Sequence, residues 1–278
     1  MATVIVIANY KGGVGKTTTT ANLGVALATA PLNQRVLLVD GDPQSNLSKI
    51  FGCSDPNLIG ERIEDILDYD GPRPTPPKPW SERPAIGTGQ REPIPGGVHL
   101  LPSTRQLADV TVRRGLEDGF AYRLRDLVVS YGELYDYILI DTPPGPQSLV
   151  ATFAMLAADY VIVPLTASDL DLDGAVDFAE VLEDEILPYN DKLRLLGVQL
   201  TMVDRRQRIN NNYFAAIVNE LGLPKIPGEI PAQGRVNRHP RLGVPSIVAE
   251  PFGLVGAAYA RMAAAVHAGV SDEAQVVG

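Results

Sequence analysis

Thr3-Val-Ile-Val-Ile-Ala-Asn-Tyr-Lys-Gly-Gly-Val-Gly-Lys-Thr17 is the stretch that decides the fold. Thr3–Ala8 is a β-branched apolar run, and it feeds directly into a glycine-rich turn. Thr17–Ala30 then carries helix formers, with Leu23, Leu27 and Ala30 at helical spacing. Strand, glycine turn and helix together let backbone N–H groups surround a phosphate at a helix N-terminus. The ordinary phosphate loop reads G-x-x-x-x-G-K-[ST]. Gly15, Lys16 and Thr17 match it, whereas Tyr10 stands where the first glycine belongs. Gly12, Gly13, Val14 and Gly15 supply the cradle, Lys16 reaches the β- and γ-oxygens, and the Thr17 hydroxyl is placed to ligate Mg²⁺.

Working outward, Arg35–Asp40, Tyr137–Asp141, Tyr160–Leu165 and Leu195–Val203 repeat the apolar run. Continuous Val/Ile/Leu runs without alternation suit strands buried on both faces of a parallel sheet. Helical stretches are expected between them at Gln147–Ala158, Gly174–Leu187, Asn210–Leu221 and Gly253–Ala268. Strands alternating with helices predict an α/β fold with a doubly wound, mostly parallel sheet flanked by helices. Residues 1–270 form a single domain on this reading, and 271–278 a frayed C-terminal tail. Residues 71–97 hold eight prolines and the lone Trp80, which predicts a surface insertion, since proline removes donors and blocks helix.

Composition narrows the function. The 278 residues carry 24 Lys/Arg against 33 Asp/Glu, a net charge of −9, which argues against a general nucleic-acid coat but leaves room for a local basic face. A single cysteine, Cys53, excludes a disulfide framework, a four-cysteine metal site and a cysteine-ligated iron–sulfur cluster within one chain. No run approaches the ~18 apolar residues of a membrane helix. Met1–Ala8 lacks the basic flank of a signal peptide. A soluble, cytoplasmic protein with no membrane partner is expected.

Two further carboxylate segments complete the picture. Arg35–Asp40 runs into Gly41-Asp42-Pro43-Gln44-Ser45-Asn46, and Tyr137–Asp141 into Thr142-Pro-Pro-Gly145. Aspartates at the carboxyl ends of buried strands lie beside the ligand crevice of such a sheet. A simpler reading leaves Asp42 as a cap on the turn before Pro43.

The loop Lys11-Gly-Gly-Val-Gly-Lys-Thr17 resembles the deviant Walker A box of the ParA/MinD family of P-loop ATPases, and the two aspartate segments resemble that family's switch I and its Walker B with switch II. Val98–Ala108, Leu200–Arg205 and Ile230–Ile247 are similar to further family segments, so the likeness covers about Ala2 to Met262 without the insertion. It implies an Mg²⁺-dependent ATPase in which Lys11, Gly12, Gly13, Val14, Gly15, Lys16, Thr17 and Thr18 hold ATP. Lys11 crosses a dimer interface to the partner's nucleotide. With Lys16, it serves hydrolysis. Asp42 orients the attacking water. Thr17, Asp40 and Asp141 serve the metal, Asp40 by supporting its shell, and Met202 and Pro231 neighbour the adenine. Asp169, Asp171 and Asp173, and Ala232-Gln233 after Pro231, depart from the family pattern near the base and the interface.

Residues 205–241 hold seven Lys/Arg against Glu220 and Glu229, net +5, while the remainder is net −14. A basic stretch in an acidic chain is the footprint of phosphate-backbone binding. Arg235 falls on the position where relatives contact DNA nonspecifically, with Arg238 and Arg241 in support. The resemblance thus implies an ATP-dependent homodimer on nonspecific DNA, nucleoid-associated, that segregates a plasmid or chromosome with a ParB-like centromere-binding protein. It implies the short architecture without an N-terminal DNA-binding domain. Two readings stay open beside it: a sister ATPase that positions a protein cargo, and a metabolic P-loop ligase or small-molecule kinase, which would need neither Lys11 nor a basic surface.

Overall fold

The computed structural model describes residues 1–53, 62–68, 97–117, 119–145, 148–166, 178, 180–204, 222–232 and 244–277. Six strands form one sheet: β1 (Thr3–Ile7), β2 (Val36–Asp40), β3 (Val98–Leu101), β4 (Tyr137–Asp141), β5 (Tyr160–Thr166) and β6 (Arg194–Thr201). Their order is β3-β2-β4-β1-β5-β6, and every pairing is parallel. The registers pair Ile7 and Asp40 with Asp141, so two aspartates end adjacent strands at the same height.

Both faces of the sheet are covered, which is why its strands read as unbroken apolar runs. Val4, Val6, Val39, Ile138 and Ile140 face α4 (Gln106–Arg114), α5 (Arg123–Tyr131) and α6 (Leu149–Ala157). Ile5, Ile7, Leu38 and Leu139 face the other layer, built from α1 (Lys16–Ala28), α2 (Asn46–Ile50), α7 (Ser246–Ala249) and α8 (Leu254–Val277). The short α3 (Ile63–Asp68) lies beside α4. Truncating a fully buried side chain such as Leu38 to alanine costs about 2–5 kcal/mol.

Four elements differ from the sequence expectation. β3 is a four-residue edge strand that His99 and Pro102 make too short to stand out as an apolar run. α4 and α5 are amphipathic, with Leu107 and Val110, and Leu124, Leu127 and Val128, turned to the core, and their polar outer faces hide them in the sequence. The last helix, expected over Gly253–Ala268, runs on as α8 through Val277, where no glycine or proline interrupts Ser271–Val277. The expected insertion lies outside the described residues apart from Gly97, as does the expected helix Asn210–Leu221. Of Gly174–Leu187 the described part ends in a π-turn at Leu182–Ile186.

Candidate phosphate-binding site

The loop between β1 and α1 is shaped by its glycines. Gly15 takes φ 92° at the N-cap of α1, a left-handed conformation that costs an L-residue about 1–2 kcal/mol. No side chain caps α1, so its first N–H groups point into the loop as anion donors. Lys16 is 6 % exposed, and its ammonium donates to the carbonyls of Asn9 and Lys11, both at 2.8 Å. Burial lowers its pKa, and the negative charges of Asp141 and Asp42 oppose that shift. Lys11 itself is exposed, and its N–H donates to Asn9 Oδ1 at 2.8 Å.

Tyr10 shows how the loop dispenses with its first glycine. Its ring packs edge-on against Phe178, 5.2 Å between centroids, away from the phosphate side. Burial pushes its hydroxyl up to about 12, with Glu185 adding to the shift. Its carbonyl accepts from Gly145 N–H at 2.7 Å, tying the loop to the Thr142–Gly145 segment. Thr201, at the end of β6, donates to the Val14 carbonyl at 2.8 Å and braces the loop from the other side.

The carboxylates converge at the carboxyl ends of β2 and β4. Asp40 and Asp141 are fully buried and Asp42 nearly so. Asp40 Oδ2 accepts from Ser48 N–H at 2.8 Å and Ser48 Oγ at 2.6 Å, while Oδ1 accepts from Asp42 N–H at 3.2 Å. Burial pushes the Asp40 carboxyl up to about 6, although the Ser48 bonds pull the other way. Asp141 rises well above the ordinary carboxylate range, first through burial and then through repulsion from Asp40; Thr17 and Lys16 offset part of this. Its Oδ2 is buried without a hydrogen-bond partner. A buried oxygen of that kind is costly unless something pairs with it.

This donor set fits Mg²⁺, a hard cation that takes oxygen ligands and usually needs one or two carboxylates plus phosphate oxygens. Asp141 offers the spare oxygen and Thr17 a hydroxyl beside it, whereas both Asp40 oxygens are already engaged by switch I. Among the described residues no group of three or more His, Cys, Asp or Glu is arranged to hold a metal unaided. A metal here would therefore depend on phosphate to complete its shell.

The structure brings Lys11 to Thr18, Asp40, Asp42 and Asp141 to one end of the sheet. Asp42 does cap its turn, accepting from Gln44 N–H at 2.8 Å through Oδ1. Met202 is 48 % exposed with φ 53°, just past β6, and a bridge sets Pro231 beside Val203, the residue after Met202. Arg235, Arg238 and Arg241 lie outside the described residues, as do Asp169, Asp171 and Asp173. Sequence reading missed Asn9, Ser48, Ser103 and Thr201, the polar residues that hold the loop and switch I. Their only signal is position: Asn9, Ser103 and Thr201 sit within two residues of a strand's carboxyl end, and Ser48 lies in the helix that follows β2.

A family model for an AAA domain matches residues 2–195. The chromosome partitioning protein ParA of Caulobacter vibrioides is 34% identical over 247 residues, covering 88% of this chain and 86% of that protein. The chromosome-partitioning ATPase Soj of Thermus thermophilus is 33% identical over 275 residues, covering 96% of each. Among solved structures, cobyrinic acid a,c-diamide synthase from Mycobacterium smegmatis, with bound ADP and magnesium, superposes with a TM-score of 0.75 at 27% identity, covering 98% of this chain and 96% of that one. No helix among the described residues is long and apolar enough to cross a membrane. Loop, switches and relatives agree: the chain belongs to the ParA/Soj family of chromosome-partitioning ATPases.

Proposed function

We propose that this chain binds ATP with Mg²⁺, closes into an ATP-dependent homodimer, binds DNA without sequence preference, and segregates a replicon with a ParB-like partner that stimulates hydrolysis. The observation that carries the chemistry is the partnerless Asp141 Oδ2 beside a buried Lys16 and the uncapped start of α1. Buried charge of both signs at one spot, incompletely paired, is an arrangement a nucleotide and its metal would complete. Lys16 then exchanges the carbonyls of Asn9 and Lys11 for β- and γ-oxygens. Gly12, Gly13, Val14, Gly15 and Thr18 offer backbone donors, and Met202 with Pro231 flank the base. Thr17 and Asp141 would hold Mg²⁺, which would supply positive charge to the phosphate oxygens, and Asp40 keeps switch I in register. Asp42 orients the attacking water, so its loss raises the barrier more than it weakens binding.

Lys11 is exposed at the mouth of the loop, and the likeness to the deviant Walker A box assigns it to a second chain's nucleotide. Arg235, Arg238 and Arg241 supply the DNA contacts, on the strength of the net +5 segment in an otherwise acidic chain. The nucleoid is then the place where the dimer resides.

The deciding experiment combines light scattering with fluorescence anisotropy on random duplexes, with ATP and Mg²⁺. The wild type should dimerise and bind every duplex, and Lys11→Ala should bind ATP as a monomer without dimerising. Arg235→Glu should dimerise but lose DNA, with a log–log salt slope shallower by about one unit per chain. The likeness to a diamide synthase favours a ligase as the second reading. A ligase would hydrolyse ATP only with an acceptor and show neither dimerisation by ATP nor DNA binding.

A further inference from the structure

We propose that Ser103 is a positioning residue for ATP hydrolysis, holding the main chain of Asp42 so that its carboxylate stands at a fixed place. This rests on the reading of Asp42 as the group that orients water. Ser103 follows β3 and is almost completely buried. Its hydroxyl donates to the Asp42 carbonyl at 2.7 Å, and that carbonyl also accepts from Ser45 N–H at 2.8 Å. The Ser103 N–H donates to Ser48 Oγ at 3.2 Å, and Ser48 in turn holds Asp40. Asp42 is therefore clamped at both ends of its backbone: its N–H by the Asp40 carboxylate, its C=O by Ser103.

The clamp is anchored outside the switch. Pro102 C=O accepts from Ile63 N–H at 2.9 Å, and Thr104 Oγ1 donates to the buried Glu64 carboxylate. Both bonds fasten the 102–104 turn to α3, so Ser103 reaches switch I from a part of the fold that the phosphate does not touch. A rigid second point of attachment is what a water-orienting carboxylate requires, because small misplacements cost large factors in rate. The Ser103 hydroxyl is spent on the Asp42 carbonyl. It acts through Asp42.

The test is a double-mutant cycle on the full chain, with steady-state ATP hydrolysis followed over long incubations across ATP concentrations and ATP affinity by titration. Ser103→Ala should lower kcat about tenfold while leaving KM and ATP affinity within about twofold. Ser103→Cys, which keeps the shape but donates weakly, should fall in the same direction. In an Asp42→Ala background, Ser103→Ala should cause no further loss, because its effect passes through the carboxylate already removed. An unchanged rate in Ser103→Ala overturns the proposal. So does an equal loss in both backgrounds, or an equal loss of affinity and rate, either of which marks a merely structural serine. Wild-type hydrolysis by Asp42→Ala alone instead refutes the catalytic reading of Asp42, and this inference falls with it.

Discussion

The two ends of the parallel sheet handle charge in opposite ways. At the amino ends, charged and hydroxyl groups pair with one another within the fold. Asp136 accepts from Arg35 through backbone N–H (2.8 Å), Nε (3.1 Å) and Nη2 (2.7 Å), and the Arg35 bond holds its carboxyl below the ordinary range. The Tyr137 hydroxyl meets His267 at 2.9 Å, and Tyr135 meets His99 at 2.7 Å. At the carboxyl ends, Asp40, Asp42 and Asp141 crowd together around the buried Lys16, and Asp141 keeps an oxygen without a partner. Stabilising ion pairs and ligand-receiving charge thus occupy opposite edges of one scaffold. The amino end is finished as it folds, whereas the carboxyl end is left with valences for something to fill.

The comparison can be broken most sharply at Lys16. Lys16→Ala should lower affinity for a fluorescent ATP analogue about 100-fold or more, since hydrogen bonds to charged groups are worth about 1.5–3 kcal/mol each. Wild-type affinity in a folded variant would move the phosphate site elsewhere.

Asp141→Asn should abolish most hydrolysis yet raise the melting temperature of the nucleotide-free protein by roughly several degrees, because it removes a buried, repelled charge. A lower melting temperature would mean that this end is paired like the other. The pH dependence carries the same contrast with opposite signs. Asp40 titrates at about 6 when folded and near 3.9 when unfolded, so the native state holds the proton more tightly. Its effect is a fall in nucleotide-free stability as pH rises from about 4 to about 6, with buried Glu64 and half-buried Asp159 contributing the same sign. Asp40→Asn should shrink that fall in pH-resolved thermal melts.

Thr201→Val keeps the shape but deletes the donor to the Val14 carbonyl. It should cost about 1–2 kcal/mol of stability and weaken ATP binding by up to about tenfold. Denaturant titration and ATP titration would read the two effects; no change in either would show that the loop holds its shape without β6.

The smallest effect belongs to the amino end. Asp136→Asn should lower the melting temperature by only about a degree or two at pH 7, because its partner Arg35 is exposed and screened. Asp136 titrates below its unfolded value, so its contribution is present above about pH 4 and disappears as pH falls through the folded value. The variant and the wild type should therefore converge in acid. A variant that melts several degrees lower would place this pair among the main supports of the fold.

Much of the site was legible because its chemistry is local. Gly15-Lys16-Thr17 is contiguous, and Asp40 and Asp141 each end an apolar run that could only be a buried strand. Edge and amphipathic elements were harder: β3 is too short, and α4 and α5 bury only one face each. Ser103 was invisible for a different reason. It lies 61 residues from Asp42 in sequence, and nothing in a serine after a proline says whose carbonyl it will reach.

By itself, the sequence determined the strand–turn–helix phosphate loop, the parallel sheet with both faces covered, and the residue types at the carboxyl ends of its strands. Those follow from hydrophobic periodicity, from glycine's tolerance of positive φ and from the pattern of one short motif. Only the tertiary structure decided which carboxylate oxygens are satisfied. The registers set Asp40 beside Asp141, Ser48 takes up Asp40, and Asp141 is left with an open oxygen. It also decided that Tyr10 swings onto Phe178 instead of blocking the loop, that Thr201 braces the loop from β6, and that Ser103, just past β3, holds switch I. Hydrogen bonds between residues tens to hundreds of positions apart depend on how strands align, and alignment is a property of the packed sheet.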